Sequence, residues 1–246
     1  MNFKLDNQTQ NDLGIFHAEN GKSVFDLFNV CVSLGGKMLL SDIMSEPSGN
    51  RQYLKDRIDT IAYFHAYPEV VSKLNIDKNS LDFIEHYLSY YDYPTRKPNK
   101  FRAVEKAILY RIAPNNHYYI IERGIDYTLA LMNTIYEFFT ALDETAIPNF
   151  LKETRDKVLS IFGIEAFHRM LAIKEMRKLK AVEIANFDYI FRYVHVLKVR
   201  YLIDLIYYLD VVVAAGKVAE KYRFSYPEII SSTENKIEAC EKLCWK

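Results

Sequence analysis

The sequence predicts an all-α protein, an irregular helical bundle with two long antiparallel lever helices. Three observations carry that prediction. Glycine and proline are scarce, at 8 and 7 in 246 residues, which leaves few turns for a many-stranded β architecture. Apolar residues recur at spacings of three, four and seven over long stretches, as on one face of a helix. Half of the residues are hydrophobic, enough to build a sizeable core.

The longest periodic stretch runs from Asn186 to Tyr222. Phe187, Phe191, Val194, Leu197, Tyr201, Leu205, Leu209, Val212 and Ala219 mark one stripe. They predict a continuous helix of about 55 Å at about 1.5 Å per residue, with Asn186 as its N-cap. Lys198, Arg200, Asp204 and Asp210 interrupt the apolar run. That excludes a membrane span, because each charge near the bilayer centre costs about 3 kcal/mol.

The remaining elements come in chain order. Residues 1–12 are polar and predict a flexible N-terminus. Leu13 to Phe16 is a short apolar run with strand character. Ser23 and Asp26 have capping-box spacing and open a helix. Gly35 and Gly36 interrupt the pattern, and a short helix from Lys37 to Ser45 ends before Pro47. Asn50 caps a helix carrying Leu54, Ile58, Ile61 and His65. Asn79 caps another, with Leu81, Ile84, Leu88 and Tyr91. A loop spans Tyr93 to Lys100, then Phe101, Val104 and Ile108 mark a further helix, and Ala113 to Asn116 form a second loop. The second long helix runs from Tyr118 to Leu142 on Ile121, Ile125, Leu129, Met132, Ile135 and Phe139. Gly124 is its weak point, costing up to about 1 kcal/mol against alanine. Pro148 opens a helix with Leu151, Val158 and Phe162, and Gly163 closes it. A shorter helical segment covers Glu165 to Glu183. Beyond Tyr222 the periodicity stops, and Phe224 to Lys246 predict a turn, a β-like segment near Ile237 and a charged tail.

Bulk properties exclude several functions. The chain carries 32 basic and 32 acidic residues, for a net charge of zero, which argues against strong sequence-independent DNA binding by the isolated chain. Three cysteines, Cys31, Cys240 and Cys244, and the polar Met1 to Gln10 predict a reducing, cytoplasmic compartment. Two thiols four apart do not close a zinc site. Gly21-Lys22-Ser23 opens a helix, but Phe16 stands where a phosphate-binding loop needs its first glycine. The six histidines show no H-x-x-x-H spacing, no G-x-S-x-G occurs, and Asp204 and Asp210 fall on different sides of a helix. No catalytic, cofactor-binding or metal-ligating residues are expected.

One cluster interleaves aromatics with cations around the first proline loop: Tyr90, Tyr91, Tyr93 and Phe101 with Arg96, Lys97, Lys100 and Arg102. Those four cations are the candidate DNA contacts, since such a mixture suits a nucleic-acid backbone. Lys174, Arg177, Lys178 and Lys180 form a second positive stretch, read as a wet helix face.

Two stretches carry a family resemblance. Leu13-Gly-Ile-Phe16, Ser23-Val-Phe-Asp-Leu-Phe-Asn29, Cys31, Ser33, Gly36, Leu39-Leu40, Pro47, Arg57 and Ile61 resemble, without insertion, the start of the core domain of MutS-family DNA mismatch-repair proteins. That pattern runs L-x-I-F, then S-L-F-x-L-L-N-x-C-x-T-x-x-G-x-R-L-L-x-x-W-L-x-x-P-L, then R-x-x-A-V. Leu209-Asp-Val-Val-Val213, Ala219 and Tyr226-Pro-Glu228 resemble the family's L-D-V-L-x-S-x-A-x-x-A and x-R-P-x-I segments at the end of the lever. Asn235 to Ala239 resembles the strand that leads into the ATPase domain. Met38, Ile43 and Ser48 depart from the family's arginine, tryptophan and leucine.

The resemblance implies a shortened MutS-like core and lever module over 13–223, with 224–246 as the junction toward an ATPase domain. ATP and magnesium would belong to that domain. The partners implied are DNA held by a full-length homodimer, the ATPase domain and no membrane. Ser23, Gly36, Pro47, Arg57 and Asp210 are the expected structural residues. The alternative is an all-α scaffold or dimerisation module with no nucleic-acid role.

Overall fold

Side-chain oxygens cap the starts of five helices. The computed structural model describes residues 4–19, 21–90, 99–112, 116–173 and 178–229, and every regular element among them is helical. Helix α1 (Asn7–Asp12) starts at Asp6, whose carboxylate accepts from Thr9 N–H at 2.8 Å, so helix reaches into the first twelve residues. Leu13 to Phe16 is not a strand. It is a turn with Gly14 at φ +60°, and the carbonyls of Gly14 and Ile15 accept from Val24 and Phe25 N–H at 3.0 and 2.8 Å. This turn thereby satisfies donors that α2 (Val24–Phe28) leaves open at its start. Ser23 and Asp26 complete the expected capping box on the same helix.

Helix α3 is Leu34–Ser45, capped by Ser33. The glycine pair therefore does not break the chain but lies in the first helical turn. Helix α4 (Arg51–Ala66) starts at Asn50 as expected, and α5 (Pro68–Ser72) comes next. Helix α6 (Lys78–Leu88) is capped by Asp77 rather than Asn79, with Asp77 accepting from Ser80 N–H at 2.9 Å. Then come α7 (Lys100–Ile112), α8 (Asn116–Thr140), α9 (Asn149–Phe162) and α10 (Glu165–Leu171). The segment from Glu165 to Glu183 is not one helix, because α10 ends at Leu171 and α11 (Ala181–Tyr189) begins a new one. A π turn, Ile190–Val194, precedes α12 (Val196–Tyr222).

The chain forms two compact units. Unit 1 comprises Met1–Ser72, Asp143–Glu153 and Tyr207–Lys246. One of its apolar clusters joins Cys31, Leu40, Val211 and Ala214, with Phe25, Phe28 and Ile43 packed around them. Helix α12 ends here at Tyr222, where the periodicity stops. Arg223 takes a left-handed φ of 57°, and Phe224 N–H reaches back to Ala219 O at 2.9 Å. This is a Schellman closure made without glycine. The chain then runs without helix to Ile229, held by His65 Nδ1 and Tyr226 Oη at 2.6 Å and by Arg51 donating to Ile229 O at 3.1 Å. The segment near Ile237, Asn235 to Ala239, Cys240 and Cys244 lie outside the described residues.

Unit 2 comprises Lys73–Leu142 and Thr154–Ile206. Helix α6 packs along α8, and α11 packs on α7 and α8. Gly124 is where α8 admits the ring of Tyr87, since any Cβ there would collide with that ring. The cost of glycine in a helix is offset by packing that sequence periodicity does not report.

The continuous helix expected from Asn186 is not present. Asn186 lies inside α11, which starts after Lys180, whose N–H donates to Glu183 at 2.8 Å. At the π turn, His195 N–H bonds to Ile190 O at 2.9 Å, five residues back, and His195 leaves helical geometry at φ −124°, ψ 24°. An extra residue in a helical turn rotates everything beyond it by about 100°. Val194 and Leu197 leave the expected stripe here, at 50% and 82% exposed, while its members Phe187 and Phe191 before the turn and Leu205, Leu209, Val212 and Ala219 beyond it are buried. Val199, Leu202 and Ile203 are fully buried in their place.

Candidate functional site

The best-defined polar constellation lies in unit 1, around Asp210. This aspartate is buried on α12. Its Oδ1 accepts from Val32 N–H at 3.0 Å, and its Oδ2 accepts from Ser33 N–H at 2.8 Å and Ser33 Oγ–H at 2.6 Å. Ser33 Oγ in turn accepts from Gly36 N–H at 2.9 Å. The carboxylate thus sits at the start of α3, where unsatisfied amides and the helix dipole favour negative charge. Gly36 is required there because a Cβ would lie 2.5 Å from Asp210 Oδ2, and a Cβ on Gly35 would strike the Tyr207 ring. Two segments 177 positions apart are fastened by one side chain.

The other expected structural residues, Ser23, Pro47 and Arg57, have separate surroundings. Ser23 is buried and engaged in its capping box. Pro47 comes directly after Glu46, the C-cap of α3. Arg57 lies on α4, its guanidinium 4.5 Å above the Tyr53 ring and hydrogen-bonded to the Tyr53 hydroxyl. Its neighbour Tyr208 has its phenol pushed up to about 12 by burial, against the pull of the Arg57 cation. A cleft of about 440 Å³ opens beside Arg57, walled by Asp42, Glu46, Ser48, Asn50 and Tyr53. Arg57 Nε is buried without a hydrogen-bond partner. Both carboxylates and a guanidinium line the cleft, so it presents no single sign of charge to a ligand. Burial also pushes the Cys31 thiol up to about 12, with Asp210 adding to the effect. Cys31 packs as an apolar side chain in the cluster with Leu40, Val211 and Ala214.

In unit 2, two of the four candidate DNA contacts can be placed. Lys100 and Arg102 are exposed on the first turn of α7, beside an outward-facing Phe101 that is 86% exposed. Arg96 and Lys97 lie outside the described residues, as do Lys174 and Arg177.

Sequence periodicity missed a second buried constellation, at the π turn. Arg192 donates two hydrogen bonds of 2.6 Å to the two carboxylate oxygens of Asp188 and a third, of 3.0 Å, to Tyr90 O. Tyr87 Oη–H donates to Asp188 Oδ1 at 2.9 Å. The ionic side chains are 5% and 8% exposed. Burial and the Asp188 charge hold the Tyr87 phenol well above its usual range, so it stays a donor. The available signal was an acid and a base four apart inside an otherwise apolar, aromatic run, since buried charges must be paired.

Among the described residues, no group of three or more His, Cys, Asp or Glu side chains is arranged to hold a metal. No helix among them is long and apolar enough to cross a membrane. No family model matches the sequence, and no solved structure matches it.

Proposed function

We propose that this chain is the non-catalytic core and lever module of a MutS-like DNA mismatch-repair protein, working in a reducing, cytoplasmic compartment. In this reading it couples the binding of mismatched DNA by a homodimer to an ATPase domain outside these residues, where ATP and magnesium would act. The observation that carries the reading is the junction of Ser33, Gly36 and Asp210. These three residues belong to the two stretches that resemble the family, and that resemblance rests on sequence alone. Their hydrogen bonding makes the shared pattern a physical unit: a hydroxyl to cap α3, a glycine to let the carboxylate approach, and the carboxylate itself.

Fluorescence anisotropy with a homoduplex and a single-mismatch duplex tests the proposal. The expected outcome is binding at low salt that weakens as salt rises and is tighter for the mismatch. A flat response to both duplexes would favour the second reading, an all-α scaffold or dimerisation module. That reading draws its support from the apolar side chains that α7 turns outward.

A further inference from the structure

Helix α7 faces the wrong way for its composition. It rests on α11 and α8 through small or flat residues. Ala103 is buried, Ala107 and Tyr110 are half-buried, and the Tyr110 ring stacks on Tyr118 at 4.7 Å. Four of its larger apolar side chains point outward instead. Phe101 is 86% exposed, Val104 44%, Ile108 52% and Leu109 55%. At about 100° per residue, Phe101, Val104 and Ile108 form a single stripe, with Leu109 along one edge. Lys100 lies on one flank of that stripe, and Arg102 and Lys106 on the other. Glu105 falls within it, and all four charged residues are exposed.

We propose that this face of α7 docks an amphipathic helix of a partner protein. The partner's apolar stripe would be flanked by carboxylates and would carry one cation opposite Glu105. The flanking charges select this occupant. Apolar anchors at spacings of three and four are what a helix-in-helix contact reads. Cations on both flanks call for acidic flanks on the partner, because complementary rims steer encounter and set register. Glu105 argues against a lipid surface, where its carboxylate would sink with the apolar stripe into the acyl boundary. It also argues against a duplex, since a carboxylate amid aliphatic side chains repels phosphate. A second copy of the chain is disfavoured as well: antiparallel pairing of two α7 faces sets Arg102 beside Lys106 of the partner helix, like against like. The inference stands apart from the mismatch-repair reading, since Lys100 and Arg102 act here as the rim of a protein contact.

The test is selection from a displayed library of helical peptides. Their apolar positions are fixed as leucine, and their flanking positions are randomised among Glu, Lys and Ser. The protein used is the whole chain. The expected result is enrichment of peptides with Glu on both flanks, lost at least tenfold on the F101S/I108S variant, whose changes are at exposed positions. The triple variant K100E/R102E/K106E should enrich Lys flanks instead. Circular dichroism identical to the parent protein confirms that each variant is folded. Enrichment with no charge preference, or equal enrichment on F101S/I108S, would overturn the proposal. So would tighter binding of the chain to phosphatidylserine vesicles or to a DNA duplex than to the selected peptide, where that binding is lost on F101S/I108S.

Discussion

Asp210 in unit 1 and Asp188 in unit 2 are both buried carboxylates, satisfied by different kinds of donor. Asp210 takes its hydrogen bonds from two backbone amides and a serine hydroxyl at the start of a helix. Asp188 takes its own from a guanidinium and a phenol. The two backbone donors of the first site cannot be mutated away, which leaves the acceptor, the Ser33 hydroxyl and the glycine that admits the carboxylate as its vulnerable parts. The second site is a pair, in which each ion justifies the other's burial. The first arrangement fastens distant segments. The second lies at a local irregularity, the π turn, and ties it to the end of α6 through Tyr87 and Tyr90.

The largest effect should separate pair from acceptor. R192A leaves a buried carboxylate without its cation, and urea unfolding should show a loss of about 3–5 kcal/mol. The double variant D188L/R192L should recover most of that loss, because well-packed apolar residues often replace a buried ion pair at little cost. If the double variant is as unstable as R192A, the site is a network and not a pair.

Glycine substitutions sharpen the other side of the comparison. G36A should lose about 2 kcal/mol by crowding Asp210 and Ser33, even though alanine is the better helix former. Gly216, also on α12 in unit 1, has only ordinary neighbours, Ile61 O at 3.7 Å being the nearest. G216A should therefore gain up to about 1 kcal/mol. Thermal melts of the two variants moving in the same direction would remove the steric argument.

The smallest expected effect is one of pH, at the π turn. The His195 pKa is lowered by burial and by Lys198. A folded-state pKa below the unfolded one gives a contribution that is present above the unfolded pKa and lost as pH falls through the folded one. Hydrogen exchange at residues 195–199, corrected for intrinsic pH dependence, should therefore quicken below the ordinary histidine range. H195Q should flatten that response. An unchanged pH profile in H195Q would assign the loosening to other groups.

Caps and periodicities made much of the fold legible. The Ser23–Asp26 box, the Asn50 cap and the end of α12 at Tyr222 are local events, written within a few residues of sequence. The π turn was not legible. It is closed by His195 N–H on Ile190 O, five residues back, and a continuous stripe through Val194 and Leu197 fits the 3.6 period equally well. The outward turn of α7 escaped for a related reason: periodicity identifies an apolar stripe but not what covers it. Asp210 could be singled out from the family resemblance, while its partners at the start of α3 required the folded chain.

The most direct measurement is urea denaturation of D210N. The asparagine amide can still accept from one backbone N–H, but it turns a donor toward the other and removes the charge. The expected result is a loss of about 2–4 kcal/mol with an unchanged m-value. Hydrogen exchange at Val32, Ser33 and Gly36 should also quicken ahead of the rest of unit 1. Stability within about 0.5 kcal/mol of the parent, with those three amides still protected, would contradict the claim that this carboxylate fastens α3 to α12, and would take with it the observation on which the proposed function rests.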